Sequence, residues 1–159
     1  VGLALQGSLS NLAGGVLILL LKPFRVGDYI ITAGAEGTVM SIDIFYTRIA
    51  TTDNKVVVIP NGTISNSNVT NTTKQDERML VLEFTVPLDA NIEEVKTEIM
   101  KLIESNERIL HEMNRCVVVD KLTPVNIKMQ AKAWTKSEDY WDVKYLLLEQ
   151  ISIVLQGFR

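Results

Sequence analysis

Residues 1–30, VGLALQGSLSNLAGGVLILLLKPFRVGDYI, decide how the rest of the chain is read. The first twenty-one carry no charge, yet Gln6, Ser8, Ser10, Asn11 and four glycines interrupt the apolar run. Wound as a helix, Leu5, Leu9, Leu12, Val16 and Leu19 recur at the helical period and form one large apolar stripe. Ala4, Gly7, Ser8, Asn11, Gly14 and Gly15 fall opposite, as a small and weakly polar stripe. In lipid, small stripes let helices approach closely, and hydroxyl or amide groups bond across them. Each interior glycine costs about 1 kcal/mol relative to alanine. Packing or a bend must offset that cost, so Gly7 and the Gly14–Gly15 pair are the expected kink positions. At about 1.5 Å per residue the helix is just long enough to cross ~30 Å of hydrocarbon. The competing reading is an amphipathic helix buried in a soluble oligomer. No basic segment and no initiator methionine precede the run, so it does not read as a signal peptide. The chain is expected to begin inside a longer sequence.

Pro23 disfavours helix at Lys22, and Lys22 and Arg25 sit where an exiting helix meets headgroups. From Asp28 the pattern changes to short runs with strand character: DYIIT, EGTVMSI, FYTRIAT and KVVVIP, separated by turn sequences such as AGAEG and TDN. These predict a small β-barrel or curled sheet over roughly 26–72, with a further short strand around Ser67–Asn71. A second domain follows. MLVLEFTV alternates, with Leu80, Leu82, Phe84 and Val86 on one face. Asn91 caps a predicted helix, answered by Glu94, and Ile92, Val95, Ile99, Leu102 and Ile103 form its buried side. RCVVVDKL and VNIKMQAKAW read as two more strands, the latter turning Ile127, Met129, Ala131 and Ala133 one way. Ser137 opens a last helix with Glu138 and Asp139 at the dipole's positive end. Its apolar positions include Trp141, Leu148, Ile151 and Leu155. The order β-α-β-β-α is one strand short of the split βαβ layout.

With 159 residues, 47% hydrophobic, the chain can bury one sizeable core or two small ones. A net charge of -3 argues against a general nucleic-acid binder, which needs a basic surface to displace phosphate counterions. Cys116 excludes an internal disulfide and reads as a buried structural thiol within RCVVVD. His111, the single histidine, lies in the charged RILHEMNR and reads as a surface residue at a helix end. Neither a second histidine nor a cysteine pair supplies a metal set. GAEG is too short and badly placed for a phosphate loop, and no nucleophile elbow is present. Asp120 with Asp139, and Glu93 with Glu94, read as solvated charges rather than acid–base pairs. Sequons at Asn61, Asn68 and Asn71 are cheap in an Asn/Thr-rich loop. No enzyme, metal or cofactor is expected.

The opening thirty residues, with EGTV at 36–39 and IPNG at 59–62, resemble the small-conductance mechanosensitive channel family of bacteria (MscS-like). The resemblance extends along the whole chain. It implies a membrane pore helix, then a small β-barrel-like (Sm-like) domain and an α+β, ferredoxin-like domain. It divides the chain into a pore-lining helix and its bent interfacial continuation (1–21), a β domain (22–72) and an α/β domain (73–159). The implied assembly is a homoheptamer in the bacterial inner membrane, with residues after about 22 forming a cytoplasmic vestibule. Bilayer tension opens such a pore to ions and small solutes under hypo-osmotic shock, with no nucleic acid involved. Carried over by position, Leu3 becomes a pore constriction and Gly7 the bend, with residues 8–21 running along the membrane face. Gly2, Ala4, Gly7, Gly14 and Gly15 serve bending and packing. Asn11 is placed to hydrogen-bond the loop of Pro60, Asn61 and Gly62, while Lys22, Phe24 and Arg25 meet the membrane surface.

Relative to that family, two preceding membrane helices, a second constriction leucine before Val1, and a C-terminal strand and small barrel lie outside the sequence. Position 14 is Gly where alanine is ordinary. Two rival readings remain at this level: a non-conducting membrane-anchored scaffold, and a soluble ring-forming RNA-binding module.

Overall fold

Helix α1 spans Gly2–Leu21 in a computed structural model that describes all residues 1–159. Lys22 caps it in the left-handed conformation (φ 48°), donating its N–H to the Ile18 carbonyl. Pro23, which cannot continue a helix, follows. The helix is continuous from Gly2 to Leu21 through Gly7. Only Gly14, Gly15 and Ile18 of α1 are buried. The large stripe, from Leu5 through Leu9 and Leu12 to Val16 and Leu19, is exposed in the single chain.

The chain divides into two units, Val1–Lys74 and Gln75–Arg159. In the first, α1 is followed by β1 (Tyr29–Thr32), β2 (Ala35–Ile42), β3 (Tyr46–Ala50), β4 (Val56–Pro60), a short helix α2 (Asn61–Ser65) and β5 (Thr70–Asn71). The strands form one antiparallel sheet in the order β4-β3-β2-β1-β5. Ala33 and Gly34 connect β1 to β2 with positive φ at both positions, the backbone that a two-residue hairpin loop matched to strand twist demands. Ile30, Val39, Ile49 and Ile59 alternate inward along the strands. Ile18 of α1, Ile64 of α2 and Phe24 complete their core.

That placement corrects one expectation. Phe24, 1% exposed, is a core residue and does not meet a membrane surface. The left-handed cap at Lys22 and Pro23 end the helix, and the Phe24 ring then packs into the sheet's core while Lys22 and Arg25 on either side stay exposed.

In the second unit, β6 (Glu77–Val86), α3 (Ile92–Ser105), β7 (Cys116–Leu122), β8 (Ile127–Lys136) and α4 (Tyr140–Leu155) follow in order. The sheet order is β6-β8-β7, with both neighbours antiparallel to β8. This is three strands of the split layout. Leu80, Leu82 and Val86 from β6 and Ile127, Met129, Ala131 and Ala133 from β8 pack under Val95, Ile99 and Ile103 of α3. The Asn91 side chain accepts from the N–H groups of Glu93 and Glu94, while its amide donates to the Glu94 carboxylate. Two orphan donors of the first turn are thereby satisfied.

One further expectation, the buried Cys116 thiol, is corrected in this unit. One turn of 3-10 helix (Ser137–Asp139) precedes α4, which buries Tyr140, Val143, Leu147 and Ile151. Trp141, 47% exposed, lies off that stripe and stacks with Tyr145 instead. Cys116 is exposed rather than buried. On edge strand β7 the alternation turns Val117 inward and the thiol outward. His111 is exposed too, in the loop after α3, with its ring Nε2 3.2 Å from the Asn106 carbonyl.

Replacing Asn91 by Ala should cost the second unit about 1 kcal/mol. Both tryptophans, Trp134 and Trp141, belong to that unit. Tryptophan fluorescence in a denaturant titration therefore reads it alone, and an unshifted midpoint would contradict the cap.

Candidate functional site: the seat of the first helix on the β domain

The small stripe of α1 has a partner within the same unit. Asn11, Gly14, Gly15 and Ile18 recur at the helical spacing and lie over α2 and the end of the β2–β3 connection. A Cβ added at Gly14 would sit 2.5 Å from the Asn61 carbonyl oxygen and 2.8 Å from the Gly62 nitrogen. One at Gly15 would fall 2.6 Å from the Ile44 carbonyl oxygen and 2.7 Å from Asn61 Nδ2. From the other side, a Cβ at Gly62 would meet Ser10 Oγ at 2.8 Å and Asn11 Oδ1 at 2.9 Å. Three glycines on two crossing helices thus bring backbone against backbone. Alanine at position 14 would clash with main-chain atoms that have no rotamer in which to escape.

Asn61 organises the receiving surface. It is 0% exposed. Its Oδ1 accepts from Thr47 Oγ1 at 2.7 Å, and its Nδ2 donates to the carbonyls of Asp43 (2.8 Å) and Ile44 (3.1 Å). Its own N–H donates to the Phe45 carbonyl. A buried amide left unpaired would be costly, and here every group is used. The side chain therefore fixes the 43–45 connection and the first turn of α2 in one geometry. Pro60, the last residue of β4, enters that turn with a fixed φ of -57°. The Gly62 N–H, a donor that a helix start leaves free, then points at α1. Asn11 Oδ1 accepts it at 3.0 Å, across 51 residues of sequence.

Asn11, Pro60, Asn61 and Gly62 are thus brought together, and Gly14 and Gly15 join them. In this chain those two glycines meet the β domain. The other half of α1 has no partner here. Leu3 is 90% exposed, and a Cβ at Gly2 or Gly7 would meet nothing within 4 Å. Ala4 is likewise exposed. Lys22 and Arg25 stand apart at the helix exit. The internal network of Asn61 with Thr47, Asp43 and Ile44 escaped the sequence reading. Its one signal was an uncharged Asn directly after the strand run VVVIP.

The description "Mechanosensitive ion channel, beta-domain" matches residues 7–74, and "Mechanosensitive ion channel MscS, C-terminal" matches residues 80–156. The small-conductance mechanosensitive channel of Edwardsiella ictaluri is 37% identical over 157 residues, covering 99% of this chain and 55% of that protein. The crystal structure of Helicobacter pylori MscS in its closed state superposes with a TM-score of 0.90 at 30% identity, over 98% of this chain and 62% of that one. Arabidopsis thaliana MSL1 shares the fold, with a TM-score of 0.77 at 17% identity over 98% of this chain and 58% of that one. The chain belongs to the MscS family of mechanosensitive channels, a family of channels rather than of enzymes. It spans about half the length of the curated relatives it matches.

Gly14→Ala gains about 1 kcal/mol of helix preference but overpacks a backbone contact, a cost typically of 1–3 kcal/mol. The clash should prevail. Amide exchange at Gly62 should quicken and the first unit should lose stability. Gly7→Ala, which meets no such contact in this chain, should not show that loss. Equal stability of both variants would contradict the seat.

Proposed function

We propose that the intact protein is a tension-gated membrane channel that passes ions and small solutes and protects a cell against hypo-osmotic shock. One observation carries this reading. An uncharged helix of 20 residues, with mean hydropathy 1.6, leaves its large apolar stripe and residues 2–10 exposed while its small stripe is clamped from Asn11 onward. A soluble monomer would not leave such a surface open to water. Lipid and further copies of the same helix can cover it, and membership of the channel family supports that arrangement.

In this reading the copies form a ring, a heptamer by analogy with the family, in a bacterial inner membrane. Leu3 lines the narrowest part. A collar of leucines dewets a narrow pore and blocks ions without a plug. Gly2, Ala4 and Gly7 allow neighbouring copies to approach and the helix to bend. Lys22 and Arg25 lie at the headgroup level, and the β and α/β domains face the cytoplasm. Asn11 and Gly62 couple the helix to the β domain, so that a displacement of one is felt by the other.

Reconstitution of the intact protein in liposomes, with patches held under suction, tests the reading directly. Absence of a tension-dependent current would reject it and favour the anchored scaffold. In such patches Leu3→Ser should wet the constriction and lower the threshold or cause leak. An unchanged threshold at normal expression would remove Leu3 from the gate. Asn11→Ala should act differently. The lost bond contributes roughly 0.5–1.5 kcal/mol per subunit. Closing or desensitisation under sustained tension should shift while conductance stays, and the reverse pattern would refute the coupling.

A further inference from the structure

The exit of α1 is held by a second set of contacts, separate from the seat under its middle. Strand β5 is only two residues long, pairing Ile30 with Asn71 and Ile31 with Thr70. So short a ladder anchors little by itself. The segment 71–74 is nevertheless tied to residues 22–29 by side chains. Asn71 Nδ2 donates to Asp28 Oδ2 at 2.8 Å and approaches the Pro23 carbonyl at 3.3 Å. The same Asp28 oxygen accepts the Arg25 N–H at 2.9 Å, while Asp28 Oδ1 lies 3.5 Å from Thr73 Oγ1. Asn71 Oδ1 accepts the N–H groups of Thr73 (3.1 Å) and Lys74 (2.9 Å), which curls the segment into a turn. Thr73 Oγ1 accepts from the Tyr29 N–H at 3.0 Å. Lys74 Nζ reaches the carbonyl of Lys22, the residue that caps α1, at 3.3 Å.

These contacts join two points that are distant in sequence. Lys22 ends α1, and Lys74 is the last residue of the first unit, bonded directly to Gln75 of the second. We propose that Asp28 and Asn71 form a clasp that makes the α1 exit and the chain entering the second unit move as one body. A displacement of α1 is then passed to the connecting segment rather than dissipated in the loop 22–28. The two residues are positioning residues for gating. Their structural role stands apart from the channel reading, whereas their effect on current rests on it.

The test uses the intact protein in liposomes and an exchange of partners. Asn71→Asp sets two carboxylates against each other across the bond, and like charges so close repel. The other acceptor bonds of position 71, to Thr73 and Lys74, survive the change. Adding Asp28→Asn removes that repulsion and lets the two side chains bond again with donor and acceptor reversed, at the expense of the Arg25 N–H, whose acceptor is the same oxygen that faces Asn71. Amide exchange over residues 22–29 and 72–74 should be roughly tenfold faster in Asn71→Asp, as expected for loss of a charged hydrogen bond. It should return toward wild type over residues 72–74 in the double variant, while the Arg25 amide, without its acceptor, stays fast.

Transmission has its own readout. Leu21→Gly loosens the last, exposed turn of α1. It should raise exchange at residues 74–77 while the clasp is intact, and add little on the Asn71→Asp background. Exchange unchanged in Asn71→Asp, no rescue by the double variant, or equal effects of Leu21→Gly on both backgrounds would each overturn the clasp. These measurements need no current. A wild-type protein silent under suction would reject the channel reading and leave the clasp to be judged by exchange. If current is present, Asn71→Asp should alter the time course of closing under steady suction, with recovery in the double variant. A wild-type time course would overturn the gating role.

Discussion

Everything in the first unit depends on backbone meeting backbone where α1 crosses α2. Glycine is the only residue that permits that distance at positions 14, 15 and 62, and it is a poor helix former. The cost of glycine in α1 is therefore offset by the contact it allows and by the Asn11–Gly62 hydrogen bond made through it. Ile18 then drops into the β-domain core, one helical turn further on. Without the seat, α1 would be an apolar helix with no fixed relation to the sheet below it.

The seat also explains the division of labour along α1. From Asn11 onward one stripe of the helix is small because it lies close to the β domain, and the opposite stripe is large because nothing in the same chain covers it. Asn61 makes this possible by freezing its surroundings. A buried amide with both ends satisfied holds α2 and the 43–45 connection as one surface, so Gly62 presents its N–H at a constant angle.

The strands, the order of elements and the inward faces of β6, β8 and α3 were legible in the sequence because alternation and helical period follow directly from burial on one side. Asn11 with Gly62 was legible only through family resemblance, since no local pattern relates residues 51 positions apart. Phe24 misled because a ring beside Lys22 and Arg25 reads as interfacial, while the turn at Pro23 directs it inward. Trp141 was legible only as an apolar position of α4, and the observed period buries Tyr140, Val143, Leu147 and Ile151 instead. Cys116 misled because an apolar run on an edge strand does not bury both of its faces. Asn61 was read for its place in IPNG, but its partners Thr47, Asp43 and Ile44 are set by a tertiary fold that a linear pattern does not encode.

The separation of Asn11 and Gly62 by 51 residues bears on how the protein is made. Synthesis runs from the N-terminus, so α1 is complete well before the helix that receives it exists. Through that interval the Asn11 amide has no α2 to bond, and the glycines at 14 and 15 weaken a helix that nothing yet supports. The contact closes only once Gly62 has left the ribosome and the sheet has formed around Asn61. Closure of the seat is therefore a late event in synthesis, since it waits for residues made 51 positions after Asn11.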